Sequence, residues 1–189
     1  MQETPIQENQ GTEVKETKKE KSVKQEVLSW IRELAIAIVI VLIIKTFFFE
    51  IITVEGSSIL ETLKDGDRLY VSLLTPRFEG YERGDVVICF YPDRTDRCVK
   101  RIIGLPGDTV SISYGEVTVN GQVIEEGYLT HIAGYHYPEI TLAEDEYFVL
   151  GDNRPISHDS HSYDVGPVKR IEGKVRFVIW PLNRLGSVE

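Results

Sequence analysis

Cysteine is scarce in this chain: Cys89 and Cys98 are the only two in 189 residues. Two thiols cannot build a four-cysteine zinc site. Histidine is nearly as rare, with His131, His136, His158 and His161. No His-x-x-x-His or His-Glu-x-x-His spacing occurs among them, so the pattern of a metal enzyme is missing and no metal or other cofactor is expected. Basic residues are outnumbered, 21 Lys and Arg against 30 Asp and Glu, for a net charge of -9. There is no basic stripe, and an acidic chain has no electrostatic attraction for nucleic acid. Internal repeats are absent. After residue 50 no long helical period appears, with residues 58–63 the one short exception.

What is present changes sharply along the chain. Residues 1–24 are rich in Glu, Gln, Lys and Thr, with few large apolar side chains. Such a stretch buries too little surface to offset its ordering entropy, which predicts a disordered tail. Residues 34–44 then form an unbroken apolar run. Alone it is too short for a bilayer, which takes roughly 20 residues. Residues 27–31 and 47–49 extend it, which predicts a transmembrane anchor over 27–49. Arg32, Glu33 and Lys45 fall toward its ends, where long side chains reach the headgroups. A cleaved signal peptide would need a small-x-small site, and Lys45-Thr46-Phe47-Phe48-Phe49-Glu50 offers none. A surface-packed helix would show a polar face, and this run has none. Six basic residues, Lys15, Lys18, Lys19, Lys21, Lys24 and Arg32, precede the run. Lys45 alone lies between it and Lys64. The positive-inside rule then predicts a cytoplasmic N-terminus and residues 50–189 on the extracytoplasmic side of the cell membrane.

The remainder reads as mainly β. Residues 51–54, 68–73, 85–91, 99–103, 109–113, 147–150 and 173–180 alternate or are rich in β-branched residues, with Gly, Pro and Asp clusters between them. Residues 117–119 and 122–124 flank Asn120-Gly121, a two-residue hairpin signal. A turn centred on Asp93-Arg94 would set Cys89 against Cys98 on neighbouring strands. The pair is then either a disulfide, which an extracytoplasmic location permits, or two small apolar residues.

Three polar constellations stand out in this β-rich region. Gly56-Ser57-Ser58 follows a strand and can expose a hydroxyl on a tight turn, although such triplets are usually plain loops. Lys100-Arg101 lies within a strand, so the two side chains point to opposite faces. A lysine pointing inward would be desolvated, would lose affinity for its proton, and could then serve as a general base. Residues 151–164 concentrate hydrogen-bonding groups after an apolar strand, which suits either a surface loop or the wall of a site.

Together these segments resemble the type I signal peptidase family. Gly56, Ser58 and Thr62 match its Gly-x-Ser-Met-x-Pro-Thr box. Lys100, Arg101, Gly104, Pro106, Gly107 and Asp108 match Lys-Arg-x-x-Gly-x-Pro-Gly-Asp. Residues 151–154, Ser157, Asp159 and Ser160 match Gly-Asp-Asn-Arg-x-x-Ser-x-Asp-Ser. Residues 180–186, Trp-Pro-Leu-Asn-Arg-Leu-Gly, are similar to the family's end. One N-terminal anchor and a short catalytic domain look like the Gram-positive branch.

The resemblance implies a membrane-bound serine endopeptidase that removes signal peptides from preproteins, with small residues preferred before the cut and the lipid bilayer as its other partner. It implies Ser58 as nucleophile through an acyl-enzyme, and Lys100 as general base. Ser157 would orient the lysine. Arg101 and Asp152 would form a supporting ion pair. The backbone N–H of Ser58 would serve the oxyanion hole. Gly56 occupies a position where some relatives carry an additional hydroxyl donor. Ile59, Glu61 and His161 stand where the family usually has Met, Pro and Arg. The first two make a specialised substrate range a competing expectation beside neutral drift, and a dedicated assembly factor is an alternative role. The third bears on an ion pair with Asp159. A self-cleaving repressor protease is excluded by the anchor and by the lack of a DNA-binding module.

Overall fold

The structure is a computed structural model that describes residues 23–56, 59, 62–74, 78–131 and 133–188. The expected disordered tail falls outside these apart from its last two residues, and so do Ser58 and Glu61.

The chain separates into two compact units, residues 1–41 and Leu42–Glu189. Helix α1 runs over Val23–Phe48. Its segment Val23–Ile44 is long and apolar enough to cross a membrane. These 22 residues rise about 33 Å at 1.5 Å each, against a hydrocarbon core of about 30 Å. The helix begins four residues before the predicted anchor. Lys24, Gln25 and Glu26 are polar but are good helix formers, so the helix continues where the apolar pattern stops.

The second unit is built on β-sheets. In chain order its strands are β1 (Phe49–Thr53), β2 (Arg68–Ser72), β3 (Val86–Phe90), β4 (Arg97–Gly104), β5 (Thr109–Ser113) and β6 (Glu116–Val119). Then come β7 (Gln122–Val123), β8 (Tyr137–Thr141), β9 (Phe148–Leu150), β10 (Arg170–Trp180) and β11 (Gly186–Ser187). The larger sheet has the order β1-β2-β10-β3-β4-β9, with β11 also on β10. The smaller runs β7-β6-β5-β8. All the described pairings are antiparallel.

β3 is buried on both faces, which explains its continuous apolar sequence. Val86 and Ile88 join Leu63, Leu69, Val71 and Val175 on one side. Val87 and Cys89 join Ile102, Val149 and Val168 on the other. A third cluster, including Val110, Val117, Phe148 and Leu150, packs beneath the smaller sheet. At Gly173 in β10 the register shifts by one residue. A Cβ there would lie 2.6 Å from the Ser72 carbonyl oxygen, so only glycine lets the strands close.

The β3–β4 register sets Val87 opposite Lys100 and Cys89 opposite Cys98. The expected facing of the cysteines is therefore present, with both as free thiols. The turn between the strands closes with the Arg94 N–H on the Tyr91 carbonyl, and Asp93 takes a positive φ of 59°.

Candidate active site

Lys100 and Arg101 occupy the middle of β4, and the pleat sends them to opposite faces. Both are buried, at 3% and 2% exposure. Burying two adjacent cations costs several kcal/mol each unless both are paired. The sequence solves this differently on the two faces.

On the first face Lys100 Nζ donates to Ser157 Oγ at 2.8 Å. Ser157 donates its single hydrogen to Asp159 Oδ2 at 2.5 Å. Its oxygen can therefore only accept from the lysine. Asp159 is fully buried. Oδ2 also accepts the Gly151 N–H at 2.8 Å, and Oδ1 lies 2.5 Å from His161 Nδ1. Burial pushes the Asp159 carboxyl up, but hydrogen bonds from His161, Ser157 and Gly151 outweigh it, and the group ends below the ordinary aspartate value. Burial is also the largest influence on Lys100. It lowers the lysine's pKa against the opposing pull of Asp159. A primary amine with reduced proton affinity, held by one acceptor among the described residues, can take a proton from a hydroxyl.

On the second face Arg101 forms a bidentate pair with Asp152. Nε lies 3.0 Å from Oδ1 and Nη2 2.8 Å from Oδ2. Arg101 Nη1 donates to the Gly84 carbonyl at 2.8 Å, and the guanidinium stacks 4.0 Å from the Tyr128 ring centre. Thr62 Oγ1 donates to Asp152 at 2.5 Å and accepts from Arg101 at 3.2 Å. This node ties β4, the Gly151–Ser160 loop and the segment after Ser58 to one another. Arg184 adds a second tie, donating to the Thr62 carbonyl at 3.1 Å and to Asp67.

An open cleft of about 990 Å³ lies over Lys100, with Glu50, Ile52, Val54, Gly56, Ile59 and Val99 along its walls. Gly56 adopts φ of +100°, which a side chain would strain, and its N–H donates to Asp65 at 3.0 Å. β1 pairs only with β2 among the described strands, so its other edge is open beside the cleft. No cluster of three or more metal-ligating side chains occurs among the described residues.

This cleft, with a buried lysine at its base, sits within a recognisable sequence family. The model of "Signal peptidase, peptidase S26" matches residues 27–180. The chain belongs to the signal peptidase family. It is accordingly a protease, a hydrolase of the serine class. A signal peptidase I of Bacillus licheniformis is 38% identical over 94% of this chain and 100% of its own. A probable signal peptidase I-2 of Synechocystis is 35% identical over 92% of this chain and 83% of its own. A crystal structure of signal peptidase I from Enterococcus faecalis is 33% identical, covering 50% of this chain and 95% of its own, with a TM-score of 0.43. The family's reaction is the removal of signal peptides from preproteins, and its members are membrane-anchored, as the apolar N-terminal helix of this signal peptidase fits.

Of the residues singled out from sequence, Lys100 and Ser157 meet on one face of β4, and Arg101 and Asp152 meet on the other. Gly56 lines the cleft. Ser58 lies outside the described residues. His161, in place of the usual arginine, still contacts Asp159. Sequence reasoning missed the braces from the segment between β7 and β8. Glu126 pairs with Arg154, whose Nε donates to the Gly151 carbonyl at 3.1 Å, and Tyr128 covers Arg101. Nothing in sequence announces the Glu126–Arg154 pair, whose members stand 28 residues apart. Arg184 did carry a signal, because it lies in the closing 180–186 segment.

Proposed function

We propose that this signal peptidase cleaves preproteins with Ser58 as nucleophile and Lys100 as general base. Neutral Lys100 takes the Ser58 hydroxyl proton while Oγ attacks the carbonyl carbon of the scissile bond. The Ser58 backbone N–H helps hold the developing oxyanion. Collapse breaks the C–N bond, and Lys100 returns its proton to the amine of the departing mature chain. The signal peptide remains as an ester on Ser58. Lys100 then deprotonates a water, which attacks the ester; the acyl C–O bond to Ser58 breaks, and Lys100 returns the proton to the serine oxygen as the signal peptide leaves. This is the serine triad's logic with an amine as base.

The observation that carries this reading is the buried Lys100 amine, bonded to Ser157 and lining the same cleft as Gly56 and Ile59, which bracket Ser58 in sequence. In this reading Ser157 positions the amine, and the Arg101–Asp152 pair holds β4 against the third box. The open edge of β1 supports an extended substrate that adds as a strand. The apolar walls Ile52, Val54, Ile59 and Val99 suit small uncharged side chains before the cut. The helix over Val23–Phe48 anchors the chain in the cell membrane with its N-terminus cytoplasmic and the catalytic domain, residues 50–189, outside. A cleavage site leaving a membrane helix would meet Ser58 at high effective concentration there.

The test uses purified full-length protein in detergent and a preprotein substrate. Ser58→Ala and Lys100→Ala each abolish cleavage, and the double variant is no worse, because the two act as a unit. Ser57→Ala stays active. An active Ser58→Ala beside a dead Ser57→Ala would refute the assignment.

A further inference from the structure

The hydrogen bonds leading away from Lys100 do not end at Ser157. Ser157 passes its hydrogen to Asp159, and the far oxygen of Asp159 meets His161 Nδ1 at 2.5 Å. His161 also gives its backbone N–H to the same oxygen at 3.3 Å. Its ring stacks on Tyr135, with centres 4.1 Å apart and planes 19° apart, which fixes its orientation. Four groups therefore stand in line: amine, hydroxyl, carboxylate, imidazole. An ionised carboxylate only accepts, so Nδ1 of His161 carries the hydrogen that bonds it. The other ring nitrogen is free to gain or lose a proton. The side chain keeps 19% of its surface exposed, whereas Asp159 has none, so the proton exchanges with solvent at the His161 end.

We propose that His161 is a positioning residue for the general base: its charge, felt through Asp159 and Ser157, sets the pH at which Lys100 becomes free to accept a proton. This rests on the reading of Lys100 as base. The argument is electrostatic. The Asp159 carboxylate is the strongest charge holding a proton on Lys100. An imidazolium at His161 offsets that carboxylate and releases the lysine. A neutral imidazole leaves the carboxylate uncompensated, and Lys100 keeps its proton to higher pH. Cys89 and Cys98 face Lys100 from β3 and β4, and Asp152 acts on it from the neighbouring loop. Burial pushes the Cys89 thiol up, so it stays neutral. Arg154, Glu126 and Asp159 surround Tyr135, whose phenol burial raises to about 12. His161 is thus the solvent-reached end of the line, the position from which a charge faces Asp159.

The experiment measures kcat/KM against pH with a peptide spanning a signal-peptide cleavage site, using full-length protein. His161→Arg supplies a permanent cation in place of a titrating one, and His161→Gln a permanent neutral. The acid limb moves down by about one pH unit in His161→Arg, as expected for a unit charge acting across a partly buried network. It moves up in His161→Gln. A loss of rate without displacement of the limb in either variant would mean a structural role only and would overturn the proposal. Because His161→Gln leaves a buried carboxylate without its partner, thermal melts accompany both variants. His161→Arg retains the ion pair and decides the question if the Gln variant does not fold.

Linkage gives a second readout that does not need turnover. The His161 ring proton, followed by NMR, titrates at lower pH in wild type than in Lys100→Met, because a charged lysine disfavours a charged imidazole and the coupling is reciprocal. Equal titration in the two proteins would overturn the coupling. If Lys100→Met instead retained full activity, the base assignment would fall, and the NMR coupling would stand or fall by itself.

Discussion

Asp152→Ala tests how the site is held together. The substitution leaves Arg101 buried at 2% exposure with both carboxylate bonds gone. Breaking a buried pair from one side costs about 3–5 kcal/mol, because the remaining charge is uncompensated. Arg101 keeps the Gly84 carbonyl and the Tyr128 ring, which places the expected cost at the lower end, about 3 kcal/mol. For a domain of this size each kcal/mol moves Tm by about 2–4 °C, so the midpoint should fall by about 6–12 °C. Thermal unfolding of the full chain in detergent, followed by circular dichroism, measures it. Arg101→Met with Asp152→Ala removes both charges, and this double variant should be more stable than Asp152→Ala alone. Thr62 loses its acceptor in either case, so cleavage should decline in both. A Tm within about 2 °C of wild type, or a double variant less stable than the single, would refute the claim that an uncompensated charge dominates the cost.

The acid limb of kcat/KM should have its midpoint below about 10.4, the ordinary lysine value: the neutral amine is the active form, its share rises with pH, and burial of Lys100 brings that rise to lower pH; a midpoint at the ordinary value would contradict the desolvation argument. Cys89 and Cys98 are free thiols although they face each other; labelling of unreduced protein after denaturation should count two thiols, and none would mean a disulfide. Ile59 lines the cleft as a stiff β-branched wall, so the Ile59→Met, Glu61→Pro variant should cleave a broader panel of preproteins than wild type; equally broad profiles would leave no substrate specialisation at these positions.

The parts of the fold that were legible in sequence are those governed by local rules. Alternation assigned Lys100 and Arg101 to opposite faces, and the structure has Lys100 on Ser157 and Arg101 on Asp152. β5 was bounded correctly at Thr109–Ser113, and Asn120-Gly121 does join β6 to β7. β8 was missed because Tyr137–Thr141 contains Pro138 and is largely exposed, so it lacks both the composition and the alternation of a strand. β10 began three residues before its apolar pattern, because Arg170 and Ile171 pair with β3 and Glu172 is the extra residue at the register shift. In the candidate site, Lys100 lies against Ser157 and Arg101 against Asp152, while Ser58 falls outside the described residues. The braces from Glu126, Tyr128 and Tyr135 were not legible, since they depend on how one sheet meets the other rather than on any neighbour in sequence. The contact of His161 with Asp159 was in doubt for a related reason: a histidine does not declare its partner until the loop is closed.

The burial of Lys100 has a consequence for the life of the chain before it folds. The amine loses affinity for its proton only because β3, β4 and the Gly151–Ser160 loop close around it. In an extended chain the same side chain is an ordinary ammonium, with a pKa of about 10.4, and is almost wholly charged at neutral pH. Synthesis and membrane insertion therefore proceed with the proposed base in an inert form. Chain closure is itself the activating event. It is undone whenever β4 comes away from its neighbours.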